Sequence, residues 1–221
     1  MSRPAALVVA PHADDESIGC GGTLVALAER GFDVEVLLVT RPEPVGRRRE
    51  EHAAALRTLG ARSGPGLELP QQRIVADEAA VAGVLAVLRR LRPALVLAPH
   101  RLELDRDHRE THRIVTAALQ ADRWTADVEP PLLWEYEVWT ALAYPHLLVD
   151  ISERVRHKRS AIGCYSSQLV EHDYVAAALG LNAYRGVMLG PGRGYCEAFA
   201  QATPPNPRHR GLLEGLCTYL A

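Results

Sequence analysis

Residues 8–22 read VVAPHADDESIGCGG, and they join the end of an apolar run to a cluster of polar side chains. The apolar residues 5–10 predict a buried strand that stops at Pro11, because proline has no N–H to donate to a sheet ladder. One imidazole, His12, and three consecutive carboxylates at 14–16 then precede a glycine-rich entry to a helix. We therefore expect this cluster at the carboxyl end of a strand, where open α/β sheets place their ligand sites.

Apolar strands and helices alternate after this stretch. Residues 32–40 and 94–98 contain apolar runs typical of buried parallel strands. Helices that end at Gly60 and before Pro93 separate them. The pattern further predicts a helix at 23–30 after the glycines, a short strand at 67–69, a helix at 168–179 and a glycine-rich, irregular stretch at 185–199. This β-α-β-α order predicts an α/β fold of Rossmann-like type, with a mostly parallel, doubly wound sheet and flanking helices.

The length of 221 residues suits a single domain. We expect that domain to span residues 1–221, with its core at 1–130 and with 131–221 completing the sheet and the pocket. The composition is 48% hydrophobic and 24% charged with a net charge of −2, which favours neither a nucleic-acid partner nor an anionic membrane surface. An apolar C-terminal segment leaves a homo-oligomer open as a further expectation.

The cysteine pattern and the N-terminus indicate a cytoplasmic, reduced protein. The four cysteines have no C-x-x-C spacing, so neither a zinc finger nor a disulfide framework is predicted. The apolar run before Pro11 is too short for a signal peptide, and no run approaches the length of a membrane-spanning helix.

A second strand-to-helix loop repeats the pattern of the first. Residues 99–108 read PHRLELDRDH, so that a proline, a histidine and acids again follow an apolar strand. Because parallel strands end at the same edge of a sheet, both loops are expected to lie together. His12 and Asp15 offer one nitrogen and one oxygen, which suits zinc, and a catalytic zinc site needs a third protein ligand.

Three histidines are candidates for that third ligand. Asp107 and Glu110 have the spacing of a capping box, which would place His108 on the first turn of a helix. His112 lies four residues later on the same face, and His100 lies closer to the strand end. By capping statistics alone, Asp107 is as well explained by a helix cap as by a functional role. Spacing does not decide between the three histidines.

Asp14 lies between the two expected ligands and is free to handle a proton. A zinc ion at this edge would act as a Lewis acid on water, and Asp14 could take the proton and return it to a leaving amine. This chemistry suits amide hydrolysis. A solvated loop with one helix-capping acid explains a single carboxylate, but not three beside a histidine.

Two other enzyme classes fit less well. A dinucleotide fingerprint requires G-x-G-x-x-G, but Leu24 occupies its third glycine position. A serine hydrolase of the nucleophile-elbow type requires G-x-S-x-G, which the chain lacks.

The motifs resemble those of one known family. PHADDE at 11–16 with GCGG at 19–22 resembles the P-H-P-D-D-E opening of the LmbE-like or PIG-L-like zinc-dependent N-deacetylases, and DRDH at 105–108 resembles their H-P-D-H signature. The resemblance implies a Rossmann-like core and removal of an acyl group from a small N-acylated amino sugar or glycoside. It also implies particular site residues, namely one zinc held by His12, Asp15 and His108, Asp14 as general base, and Arg48 at the substrate pocket.

Ala13, Gln71 and Asp105 depart from the family pattern, and Asp105 bears most directly on the chemistry. Asp105 stands where many relatives have a histidine thought to assist the oxyanion or the leaving group. A carboxylate beside a developing anion is unfavourable unless it is protonated. The alternative hypothesis is therefore a catalytically altered, zinc-containing sugar-binding protein of the same fold.

Overall fold

A computed structural model describes residues 3–122, 129–170, 172–192, 194–203 and 207–220. The strands are β1 (Ala5–Ala10), β2 (Asp33–Leu38), β3 (Arg62–Ser63), β4 (Leu95–Pro99), β5 (Leu132–Tyr136), β6 (Leu147–Asp150), β7 (Cys196–Gln201) and β8 (Cys217–Tyr219). The α-helices are α1 (Asp15–Glu29), α2 (Val45–Leu59), α3 (Glu78–Leu91), α4 (Arg106–Ala121), α5 (Val155–Gly163), α6 (Tyr174–Gly186) and α7 (Pro207–Leu212). A 3₁₀ turn, Val187–Leu189, follows α6.

The strands form one sheet in the order β3-β2-β1-β4-β5-β7-β6-β8. The pairs from β3 to β5 are parallel, whereas β7 pairs antiparallel with β5 and β6, and β8 pairs antiparallel with β6. The predicted α/β fold with a mostly parallel sheet is confirmed. From β1, successive strands are added outward in one direction up to β3, and β4 and β5 are then added on the other side of β1. The carboxyl ends of β1 and β4 are therefore the topological switch point of the sheet.

Helices cover both faces of the parallel strands. The core on one face contains apolar side chains of α1, α2, α5 and α6, and the core on the other face contains those of α3 and α4. Successive residues of β1 point into the two cores in turn, and every residue of β1 is buried. This double burial explains why the strand is a continuous apolar run. Among the described residues, no helix is long and apolar enough to cross a membrane.

Helix α1 begins earlier than predicted. The glycines before Thr23 suggested a loop, but the helix starts at Asp15 and contains them. A Cβ on Gly19 would lie 2.3 Å from Tyr136 Cδ2, and one on Gly22 would lie 2.6 Å from Ile151 Cγ2. These glycines are therefore required by close packing against the core.

Other boundaries in the chain also differ from the prediction. The helix expected at 168–179 is α6, which begins at Tyr174, and Asp173 caps it by accepting a hydrogen bond from Ala176 N. Residues 185–199 were expected to be irregular, but they contain the start of β7. The strand expected at 67–69 is reduced to one bridge between Thr40 and Leu69, and β3 lies nearer to the end of α2.

Candidate metal centre and its surroundings

Three side chains meet at the switch point of the sheet. His12 follows β1, Asp15 begins α1, and His108 lies in the first turn of α4. Asp15 Oδ2 is 3.2 Å from both His12 Nδ1 and His108 Nε2. One potential ligand atom from each residue lies within 4.8 Å of the other two, close enough for one metal ion. Two imidazole nitrogens and a carboxylate oxygen are a donor set found in catalytic zinc sites, which keep a further position open.

The surroundings of His108 fit a metal ligand. Both ring nitrogens are buried, and neither has a hydrogen-bond partner among the described residues. The carboxylate of Glu103 approaches the ring, but its Oε2 is 3.7 Å from Nδ1, beyond hydrogen-bond distance. A buried polar atom without a partner is costly, and ligation of a cation by Nε2 would remove that cost.

The charges around Asp15 favour a cation. Burial would lower the pKa of His12, but hydrogen bonds to Asp107 and Asp15 raise it to about 10. Burial would also lower the pKa of His108, but the negative charge of Asp15 raises it. Burial would raise the pKa of Asp15, but the two imidazoles hold it well below its usual range. The site thus stabilises positive charge, which either protons or a metal ion can supply.

Asp14 precedes α1 in a strained conformation and is not a member of the metal triad. Its φ of 140° is unusual for a residue other than glycine, and its side chain makes no capping hydrogen bond. Its Oδ2 lies 3.7 Å from Arg48 Nη2. Burial and the charge of Asp15 raise the pKa of Asp14, while Arg48 partly offsets them. A carboxyl group with a raised pKa is suited to accept and return a proton.

Arg48 lies in the first turn of α2 and is buried. Its Nη2 donates a hydrogen bond to the carbonyl oxygen of Ala13 at 2.6 Å. Its Nε and Nη1 are buried and have no hydrogen-bond partner among the described residues. Two unpaired donors beside Asp14 would be satisfied by oxygen atoms of a ligand.

Glu16, the third acid of the motif, is fully buried and holds the strained turn in place. Its Oε2 accepts a hydrogen bond from Asp14 N at 3.2 Å, and its Oε1 accepts one at 2.6 Å from each of Ser17 Oγ and Tyr165 OH. The Tyr165 hydroxyl also lies 2.9 Å from His52 Nδ1. This network was not predicted, because its members are far apart in the sequence and the run of three acids is the only local signal.

The two acids at the start of α4 have different roles. Asp105 is the N-cap, and its Oδ1 accepts hydrogen bonds from Asp107 N at 2.6 Å and His108 N at 3.2 Å. The capping box predicted from Asp107 is wrong, since α4 already begins at Arg106. The carboxylate of Asp107 instead lies 3.1 Å from His12 Nε2 and accepts a hydrogen bond from Gln72 N. A carboxylate on the far nitrogen of a ligand imidazole fixes its orientation.

The other two candidate histidines are engaged elsewhere. His112 Nε2 lies 2.7 Å from Glu135 Oε1. His100 Nε2 lies 2.7 Å from the carbonyl oxygen of Thr140. The structure thus brings His108, and neither His112 nor His100, to the triad.

A family model and curated relatives assign this chain to the same family. The family model described as GlcNAc-PI de-N-acetylase, PIG-L, matches residues 7–119, just over half of the chain, and this range includes the whole triad. The 1D-myo-inositol 2-acetamido-2-deoxy-alpha-D-glucopyranoside deacetylase of Mycobacterium sp. (strain KMS) is 32% identical over 169 residues, covering 59% of this chain and 54% of that relative. The chain spans about half the length of the curated relatives it matches.

Two solved structures share the fold over nearly the whole chain. A conserved protein of Thermus thermophilus has a TM-score of 0.79 and 32% identity, covering 91% of this chain and 95% of that one. The 4-carboxy-2-hydroxymuconate hydratase GalB of Pseudomonas putida has a TM-score of 0.79 and 24% identity, covering 92% of this chain and 98% of that one. Because one of these neighbours is a hydratase, the fold by itself does not determine the reaction.

Proposed function

This chain belongs to the PIG-L family of GlcNAc-PI de-N-acetylases, and we propose that it is a zinc-dependent hydrolase that removes an N-acetyl or other N-acyl group from an amino sugar or glycoside. The observation that carries this proposal is the triad itself, in which one potential ligand atom of each residue lies within 4.8 Å of the others and neither buried nitrogen of His108 makes a hydrogen bond to a described residue. The carboxylate of Asp14, which lies outside the triad and is not used to cap α1, supports a hydrolytic role. The name of the mycobacterial relative supports an acetylated amino sugar as the substrate class.

His12, Asp15 and His108 would hold one zinc ion per chain. When bound, zinc supplies Lewis acidity that polarises the substrate carbonyl and lowers the pKa of water. Asp107 keeps the ring of His12 oriented through its far nitrogen.

Asp14 would move the proton of the reaction. A water oxygen adds to the amide carbonyl carbon while Asp14 accepts the water proton. The C–N bond then breaks, and Asp14 returns that proton to the nitrogen, so that the products are a carboxylic acid and an amine, which become a carboxylate and an ammonium when the acid gives its proton to the amine. The network of Glu16 and Tyr165 would keep Asp14 in its strained conformation beside the triad.

Arg48 would contact the substrate. Its unpaired Nε and Nη1 can donate to oxygen atoms of a small sugar, and its charge offsets part of the rise in the pKa of Asp14. Asp105 needs no catalytic role, since capping α4 accounts for its carboxylate. The cytoplasmic location and the homo-oligomer stay predictions.

Zinc content and acetate release from the purified chain test this proposal. We expect about one zinc per chain, as in a catalytic site with three protein ligands. Acetate should be released from at least one of a panel of N-acetylated amino sugars and glycosides, and a chelator should abolish the release. His108→Ala should lose the zinc, whereas His112→Ala, one turn further along α4 and paired with Glu135, should keep it.

Three results would contradict the proposal in different ways. A wild-type chain without zinc would exclude the metal mechanism. Zinc retained by His108→Ala but lost by His112→Ala would place the third ligand at His112. Bound zinc without acetate release from any substrate of the panel would favour a sugar-binding protein.

A further inference from the structure

Helix α1 is interrupted in the middle. Cys20 has a φ of −143° and a ψ of 17°, outside the helical region, so that residues 15–19 and 21–29 form two helical segments. The first segment starts with Asp15 of the metal triad. An interrupted helix leaves carbonyl groups of its first segment and N–H groups of its second without intrahelical partners. Because this part of α1 is buried, those groups need other partners.

A buried ion pair from the C-terminal part of the chain supplies these partners. Lys158 of α5 and Glu197 of β7 are both buried, and Nζ lies 2.6 Å from Oε1. Lys158 Nζ donates a hydrogen bond to the carbonyl oxygen of Ile18 at 2.7 Å. The Glu197 carboxylate accepts hydrogen bonds from Gly22 N at 2.9 Å and Thr23 N at 2.7 Å, and one from Thr23 Oγ1 at 2.6 Å. The pair therefore caps both sides of the interruption.

We propose that Lys158 and Glu197 are positioning residues for the metal centre. By fixing the end of the segment 15–19, they set its direction and thereby the place of the Asp15 carboxylate between His12 and His108. The inference rests on the proposed function only in taking this triad as the metal site.

The chemistry of the pair favours this role over a contribution to stability alone. A buried ion pair is weak support for stability, because well-packed apolar residues often replace one without loss. An apolar side chain, however, could neither donate to the Ile18 carbonyl nor accept from two adjacent N–H groups. Lys158 and Glu197 thus supply directional contacts to both segments.

The metal affinity of a doubly substituted chain tests the inference. In Lys158→Met/Glu197→Gln both charges are removed together, so that neither is left buried without its partner. We expect Zn²⁺ affinity, measured by competition with a chromophoric chelator, to fall by about 10-fold or more, as when groups that orient metal ligands are lost. The visible absorption of bound Co²⁺ should also change, because it reports the geometry of the ligands rather than the stability of the chain.

A matched control is Glu35→Gln. Glu35 is also a buried carboxylate with two ion pairs, to Arg62 and Arg90, but it lies opposite Leu7 in the sheet, away from the carboxyl ends of the strands. This variant should lower the unfolding midpoint and leave the Zn²⁺ affinity and the Co²⁺ spectrum as in wild type.

The outcomes separate this inference from the proposed function. If the doubly substituted chain is folded by circular dichroism and binds both metals as wild type does, the positioning role is refuted while the metal site stands. If that chain does not fold, the single isosteric variant Glu197→Gln is measured, and unchanged affinity and spectrum there refute the role equally. A wild-type chain that binds neither metal refutes the proposed function and this inference with it.

Discussion

The substitution Asp14→Asn should separate proton transfer from metal binding. Asparagine has nearly the same size as aspartate and tolerates positive φ, so the strained turn at φ 140° can be kept. It lacks a carboxylate that could accept a proton from water. Since Asp14 lies outside the triad, we expect the variant to bind about one zinc per chain, as wild type does.

The size of the expected loss follows from the partners of the neighbouring acids. Asp15 belongs to the triad, Glu16 is bonded to Ser17 and Tyr165, and Asp107 is held by backbone N–H groups and His12. None of the three is free to replace Asp14. General-base catalysis contributes about 10²–10⁴-fold, and without a substitute base we expect the upper part of that range. A loss of about 10³–10⁴-fold in kcat corresponds to roughly 4–5.5 kcal/mol.

The assay combines steady-state acetate release with elemental analysis of the same preparation. Asp105→Asn is the matched control, because it makes the same chemical change at the same edge of the sheet. Asparagine caps a helix about as well as aspartate, so this control should keep near wild-type turnover and zinc. Wild-type turnover in Asp14→Asn would refute its role as the base, and loss of zinc would instead make Asp14 part of the metal site.

The remaining predictions concern a tyrosine hydroxyl, two helical glycines and a buried histidine. Tyr165→Phe removes a hydrogen bond to the Glu16 carboxylate, so kcat should fall about 10-fold with zinc content unchanged in elemental analysis. In urea unfolding, Gly22→Ala should destabilise the chain by about 1–3 kcal/mol, since the new methyl group would meet an isoleucine side chain at 2.6 Å. Gly180→Ala, with nothing within 4 Å, should stabilise it by about 1 kcal/mol through helix propensity. Burial lowers the pKa of His52, so on acidification the unfolded state binds a proton at this residue before the folded state does. The free energy of unfolding of the wild type should therefore decrease as the pH falls through about 6.5, and it should decrease less in His52→Gln.

The parts of the fold that the sequence predicted are those with a local pattern. Strands β1 and β4 are buried on both faces, so each is a continuous apolar run, and β2 becomes one only from Val36 onward. The place of the site followed from the two loops, because parallel strands bring their carboxyl ends to one edge. His12 and Asp15 could be proposed as neighbours because they lie in one loop, only three residues apart.

The spacing of residues in the sequence could not show whether His108 or His112 is the third ligand. Both lie on one face of α4, and only the tertiary structure shows that Glu135 of β5 takes His112 as its partner. The capping box was misassigned because acids at Asp105 and Asp107 both stand near the helix start, and capping preference alone does not separate positions two residues apart.

The largest errors fell where distant residues decide local structure. Glycine has low helix propensity, so residues 19–22 suggested a loop, but Tyr136 and Ile151 lie so close to α1 that a larger residue has no room. Strand β7 was missed because the glycines before it made residues 185–199 look irregular, and the strand itself contains a charged residue, Glu197. That glutamate can be buried because Lys158 and the interrupted α1 provide its partners, and in turn it neutralises the charge of Lys158 and accepts from the N–H groups of Gly22 and Thr23. Helix, strand and ion pair therefore depend on one another, and no window of sequence around any one of them contains the reason for the others.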